Sequence, residues 1–221
     1  MTAWQAIPAE RLMLYSPIGL RLIDDFTGRA PTGRVRVLLD RRDAAGGWEA
    51  TDVQAVRTPS DVVTFPGLGR SAHAGAPPTR YRVRIEAAYY RPDYLMTDDG
   101  IEFDVHPYDD ATPPAVFPML PVGLFLMPAP NYAYPNHVRV LRGEVRDAAN
   151  DPVPNVEVTE SVNERVLTDA RGGFALPLRW APLTGAVQID AVDHRPNPDR
   201  TGQININLPA DLASGQVIVV T

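Results

Sequence analysis

The stretch VRVLRGEVRDAANDPVPNVEVTESVNERVLTDARGGFALPL, residues 138–178, consists of short apolar runs separated by turn-forming residues. A period of two places Val140, Gly143 and Val145 in one strand, and Val156 and Val158 in the next. Between them lies Asp147-Ala148-Ala149-Asn150-Asp151-Pro152, where Asx side chains and proline stop a strand and reverse the chain. Thr168-Asp169-Ala170-Arg171-Gly172-Gly173 breaks the chain again, and Phe174 and Leu176 resume the alternation. Strands at this spacing predict an all-β sandwich.

Three pieces of the stretch, Gly143-x-Val145-x-Asp147, Pro152-Val-Pro-Asn-Val156-x-Val158 and Thr168-Asp169-x-x-Gly172-Gly173-Phe174, resemble the carboxypeptidase regulatory-like domain. That family is a transthyretin-type β-sandwich module. The resemblance implies a fold; because the family is mostly non-catalytic, it implies no reaction.

Composition agrees with such an architecture. A chain of 221 residues is long enough for two small sandwiches, each with its own core. Its 23 prolines and 16 glycines recur between apolar runs, as turns do in an all-β chain. A net charge of -6 argues against a nucleic-acid partner, and no polybasic run suits a membrane surface. Every one of the 21 basic residues is arginine, which excludes Schiff-base, pyridoxal and P-loop lysine chemistry. With no cysteine, disulfides, thiolate catalysis and cysteine–zinc sites are excluded too, and a reducing compartment is favoured. The first twenty residues lack a basic start followed by a long apolar core, so no signal peptide is expected. The longest apolar run, near Phe117–Pro130, is cut by Pro118, Pro121, Gly123 and Pro128, so no membrane insertion is expected. The expected location is cytoplasmic as synthesised, with release in a virion-like particle as an extension of that.

Working outward, an earlier part of the chain repeats the pattern. Val83-Arg-Ile85-Glu-Ala87 through Arg91-Pro92-Asp93 lines up without a gap with Val187-Gln-Ile189-Asp-Ala191 through Arg195-Pro196-Asn197. Gly19–Val37 corresponds to Arg139–Val158, Thr58–Phe65 to Thr168–Phe174, and Ile101-x-Phe103-x-Val105 to Ile204-x-Ile206-x-Leu208. The expected organisation is an N-terminal arm (1–16), a first β-sandwich with longer loops (17–127), a Pro/Tyr-rich linker (128–137) and a second β-sandwich (138–221). The fold expected is therefore two tandem transthyretin-like or Ig-like sandwiches. In the first, Arg41–Gly47 reads as a long hairpin tip from which Trp48–Arg57 returns as a strand. In the linker, Pro128 to Pro135 reads as a stiff extended connector.

No catalytic constellation emerges. His73, His106, His137 and His194 show no metal-ligand spacing, and no serine lies in a nucleophile elbow. His194 aligns with Tyr90, which predicts a shared structural place. Paired aspartates fall in turns, where they satisfy backbone donors, and Asp147–Asp151 lacks calcium-loop spacing. Catalytic, cofactor and metal residues are therefore expected to be none. Partner contacts are expected from apolar arms and aromatic linker positions: Trp4, Leu12, Leu14, Leu124, Leu126, Tyr132 and Tyr134. A second reading, a carbohydrate- or ligand-binding module, would use Trp48, His73, Tyr89, Tyr90 and Tyr94 in loops of the first sandwich.

The function expected is non-enzymatic assembly with other protein subunits, copies of this chain among them, through sandwich edges and apolar arms. Carboxypeptidase regulatory-like modules without signal peptides resemble accessory parts of phage tails and phage-tail-like contractile particles. The resemblance extends that expectation to such a particle.

Overall fold

A computed structural model describes residues 14–71, 73–114, 118, 120–160 and 164–221. Trp4 and Leu12 lie outside the described residues. The architecture is all-β, with short 3-10 turns at Asp93–Met96 and Ala210–Ala213.

Strand β1 (Gly19–Asp24) is central in the first sheet because both its neighbours are themselves apolar strands. It runs antiparallel to β5 (Val62–Thr64) and parallel to β9 (Val122–Pro128). With β4 (Val56–Arg57) and β7 (Tyr90–Pro92) the order is β4-β5-β1-β9-β7. A second sheet, ordered β3-β2-β6-β8, is built from β2 (Val35–Arg42), β3 (Trp48–Ala50), β6 (Thr79–Ala87) and β8 (Ile101–Val105). The inward residues of both sheets, among them Leu20, Leu22, Leu39, Val63, Phe65, Val83, Leu124 and Leu126, form one buried cluster.

Downstream, β10 (Val140–Asp147) lies between β13 (Gly173–Pro177, antiparallel) and β16 (Gln216–Val220, parallel). The companion sheet is ordered β12 (Glu164–Leu167), β11 (Glu157–Glu160), β14 (Gly185–Asp193), β15 (Arg200–Leu208). Leu141, Val145, Val158, Phe174, Leu176, Ile189, Ile206 and Ile218 make a separate buried cluster here.

The connectivity of β5-β1-β9 recurs as β13-β10-β16, and that of β2-β6-β8 as β11-β14-β15. The turn chemistry recurs as well. Asp24 Oδ1 accepts the backbone N–H groups of Phe26 and Thr27, as Asp147 Oδ1 accepts those of Ala149 and Asp151. The pairing nevertheless shifts two of the sequence correspondences. Val37 lies opposite Ile85 and Val158 opposite Ala191, while Ile101 lies opposite Val83 and Ile204 opposite Ile189. Matching Val37 to Val158 and Ile101 to Ile204 thus sets Ile85 against Ala191, not against Ile189. Thr58 corresponds to Asp169, not Thr168. Its N–H reaches Val62 O and its carbonyl accepts from Asp61, as Asp169 does with Gly173 and Gly172. The shared Arg-Pro also serves two different structures: Arg91-Pro92 is in strand β7, whereas Arg195-Pro196 lies in the loop between β14 and β15.

Two local expectations change. The return strand after the hairpin ends at Ala50, and the chain crosses at Thr51–Ala55 to enter the opposite sheet as β4. The Thr51 N–H and Oγ1 both donate to Leu39 O where the chain leaves the side of β2, and Ala55 then packs against the first core. The linker is not extended either. It folds through turns closed by Tyr132 N to Ala129 O and Val138 N to Pro135 O.

Gly143 on β10 is tightly enclosed by both neighbouring strands. An added Cβ would meet the Gln216 carbonyl oxygen and come within 2.7 Å of the Phe174 ring. Gly143→Ala is expected to cost about 1–3 kcal/mol through overpacking. Gly123→Ala on β9, where the nearest atom is Ile23 Cδ1 at 3.7 Å, is expected to leave the midpoint unchanged or raised. Chemical denaturation of both variants checks the contrast.

Candidate functional site

Polar contacts between the two sheet pairs are made largely by arginine. Arg179 forms a two-pronged pair with Glu164 at 2.5 and 3.1 Å, donates to Phe26 O and stacks over the Phe26 ring at 3.9 Å. Arg165 grips Asp25 through both carboxylate oxygens, at 3.1 and 3.2 Å. Arg195 donates to the carbonyls of Leu95 and Asp98 and to the Asp99 carboxylate. A fixed guanidinium fork suits such paired acceptors better than a point charge does.

The outer face of the β3-β2-β6-β8 sheet carries an arginine–carboxylate ladder. Alternation sends Arg80, Arg82, Arg84 and Glu86 of β6 outward while Tyr81, Val83 and Ile85 pack inward. Asp40 is buried and receives Arg84 at 2.6 and 2.9 Å and Arg82 at 2.9 and 3.3 Å. The Arg84 hydrogen bond, working against burial and joined by Arg82, holds the Asp40 carboxyl below its ordinary range. Trp48 packs under Arg82 at 4.6 Å from its ring centre.

The same sheet is incomplete. β3 covers β2 only from Asp40 to Arg42, and Leu39 O is taken by the N–H and Oγ1 of Thr51. Among the described residues, β2 from Val35 to Leu38 has a strand partner on the β6 side alone. Because Leu39 O points away from β6, the pleat turns the N–H and C=O of Val35 and Val37 the same way, toward the open side. A cleft of about 430 Å³ lies there, floored by Leu39 and Val63 and walled by Val35–Asp40, Ala50, Thr51 and Val53–Ala55. Arg34, Arg36, Arg57 and Arg84 line it, and among the described residues Asp40 is its sole acidic lining residue. Arg36 pairs with Glu86, Arg57 with Asp61 and Arg84 with Asp40; none of these pairs involves Arg34. Among the described residues there is no equivalent opening along β11, which β12 covers from Glu157 to Glu160.

Most residues singled out from sequence are used inside the molecule. Leu124 and Leu126 are buried in the first core, so neither offers a partner surface. Tyr132 and Tyr134 pack edge-on against Phe26 at 5.7 and 5.1 Å. The Tyr132 hydroxyl donates to Asp24 and the Tyr134 hydroxyl to Ala175 O. Burial raises the pKa of both phenols, reinforced at Tyr132 by the Asp24 contact. Tyr90 is buried and donates to Asp24, and Tyr94 accepts the Ile85 N–H while burial raises its pKa, so neither is a loop aromatic presented to a ligand. Leu14, Tyr89 and His73 are exposed, and Trp48 is half-buried under Arg82. They do not converge on the cleft. Sequence reasoning missed Arg34, Arg36 and Arg57, and residue alternation holds no local mark of the opening, because a strand that is not there leaves no pattern.

His194 does not share Tyr90's place. It sits in the β14–β15 loop with Nδ1 2.7 Å from Asp199 and Nε2 3.3 Å from Glu157. Among the described residues, no group of three or more His, Asp or Glu is placed to hold a metal ion.

No family model matches the chain, and no curated protein matches it. Among solved structures it is similar to the Bacillus anthracis TIE protein, at 12% identity over 94% of this chain and 33% of that one, with a TM-score of 0.28. It is similar to a Streptococcal ancillary pilin at 11% identity, over 94% of this chain and 68% of that one, with a TM-score of 0.26. For the open pilus adhesin SpaC of Lactobacillus rhamnosus GG the values are 12%, 92%, 31% and 0.24. The chain thus spans about a third of the length of the first and third of these. Likeness at these scores assigns neither a family nor a function.

Burial opposes charging of His194, yet the Asp199 and Glu157 hydrogen bonds outweigh it and raise the imidazole pKa. A pKa raised on folding adds stability that is full below the unfolded value of about 6.5 and is lost as pH rises through the folded value. His194→Gln should therefore lower the melting temperature more at pH 5.5 than at pH 8.5. Paired thermal melts of the variant and the parent protein check the sign.

Proposed function

We propose that this chain is a non-enzymatic structural module that docks on other protein subunits through the open β2 edge. The observation that carries this is the run of backbone left unpaired among the described residues, beside a cleft that reaches the core. Edge strands left in this state accept a strand from another chain, and proteins with no such use for an edge cover or blunt it. Supporting the same reading, charged side chains that titration chemistry could use are instead tied into arginine–carboxylate pairs between or within the sheets. The carboxypeptidase regulatory-like resemblance of residues 138–178 supports a narrower version. In it, the chain is an accessory component of a phage tail or phage-tail-like contractile particle, made in the cytoplasm.

The ligand-binding alternative has less behind it, since Tyr90 and Tyr94 are taken up by internal hydrogen bonds.

Val37→Pro tests the docking reading. It deletes an N–H that faces the open side and leaves the β6 ladder intact. In the native host, the parent protein should sediment with high-molecular-weight particles. The variant should stay in the slow fraction with an unchanged far-ultraviolet dichroism spectrum. Equal sedimentation of a folded variant, or a parent protein that remains monomeric, would overturn the proposal.

A further inference from the structure

The cleft has a chemistry that narrows its partner. Its floor is apolar, through Leu39 and Val63, with Val35, Val37 and Ala55 beside them. Its rim is cationic in a chain whose net charge is -6. The alternation of β2 separates these two characters. Val35 and Val37 pack against the core, while Arg36 is exposed on the opposite face beside Glu86, and Arg34 precedes it in the same phase.

A strand added along Val35–Leu38 would inherit that alternation. Its inward side chains would stand over Leu39 and Val63, and its outward ones would come level with Arg34 and Arg36. Opposite charges set across neighbouring strands are favourable, and like charges directly opposite are not. A basic segment would meet Arg34, Arg36, Arg57 and Arg84 with a single lining carboxylate, Asp40, already held by Arg82 and Arg84. An acidic segment would find Arg34, which none of those lining pairs engages, in the cleft's lining.

We infer that the occupant is an extended segment of a partner protein in which acidic and apolar residues alternate, added as a strand to β2. This rests on reading the cleft as a docking edge. A free anion would meet the same arginines, but it would leave the Val35 and Val37 backbone unpaired and the Leu39–Val63 floor in water.

The test uses the full chain and three probes: a short peptide of alternating valine and glutamate, its valine–lysine counterpart, and inorganic pyrophosphate. Fluorescence anisotropy at low salt should show the glutamate peptide binding at least about tenfold tighter than the lysine peptide. The preference should shrink at high salt, as Debye screening requires. Arg36→Glu should reduce or reverse it, and Val37→Pro should abolish peptide binding. Equal binding of the two peptides overturns the inference. So does displacement of the glutamate peptide by pyrophosphate that binds Val37→Pro equally well, which would mark a plain anion site. If no peptide binds while Val37→Pro still abolishes co-sedimentation, the acidic-strand inference fails and the docking reading stands. If Val37→Pro co-sediments normally, the docking reading fails first.

Discussion

A buried carboxylate is the point from which much of the first sheet pair and its junction is held. Asp24 ends β1, and its Oδ1 accepts two backbone N–H groups of the following turn. Its Oδ2 accepts the hydroxyls of Tyr132 at 2.8 Å and Tyr90 at 3.3 Å. One side chain thus joins the central strand, the edge strand β7 and the segment that leads into the second half of the chain. A buried carboxylate without such donors would carry a heavy desolvation penalty, so turn, tyrosines and acid depend on one another. The tyrosines in turn bring Phe26 into contact with Arg179 and so with Glu164. The linker's apparent stiffness in sequence therefore comes from packing around this acid and not from an extended proline conformation.

The arginine-only composition has a structural counterpart, although nothing in the structure explains why lysine is absent. Exposed pairs such as Arg41–Glu49 contribute little, since water and salt screen them. The consequential pairs are those in which one partner is nearly dry. Asp40, Glu164 and Asp193 have side chains only 3–4% exposed, each facing an arginine that remains about one-third exposed or is more deeply covered. In such pairs the geometry of the fork matters more than the count of bridges, because removing the cation would leave a buried anion unpaired.

Much of the architecture was legible in the residues. Strands β10, β11 and β13 follow from the apolar alternation and Asx turns of residues 138–178, and the repeat predicts the shared order of strands in both halves. What misled was the most similar-looking pair of segments. Val83–Asp93 and Val187–Asn197 match by residue type, yet hydrogen-bond pairing slides one against the other, because a two-residue shift preserves which face is apolar. Sequence periodicity cannot detect that shift. Alternation makes Leu124 and Leu126 residues of a strand that closes the first sandwich, as they are in β9, but it could not choose for them between core and interface, which an apolar strand suits equally. The cleft was hidden for a different reason: it is defined by a neighbour that is missing, and no local pattern records an absent strand. Sequence did point to the first half as the part with the unusual loops.

The comparison of the two halves explains why the opening arises only there among the described residues. In the second half, β12 lies beside β11 in the same sheet and covers it for four residue pairs. In the first half, the hairpin closes tightly, with Asp43 Oδ1 accepting Ala45 and Gly47, but the returning strand is held for only three pairs. Thr51 then satisfies Leu39 O and directs the chain across to β4. Continuing β3 beside Val35 would have completed the sheet with local contacts alone. Crossing instead leaves two residues' worth of backbone groups to solvent and a gap reaching Leu39. The arginines at the rim suit that arrangement, because like charges oppose the docking of one copy's open edge against another's. They leave the edge open to a segment of the opposite charge. An edge both exposed and selectively charged is better matched to a heterologous contact than to a symmetric edge-to-edge pair, in which the same arginines would face one another.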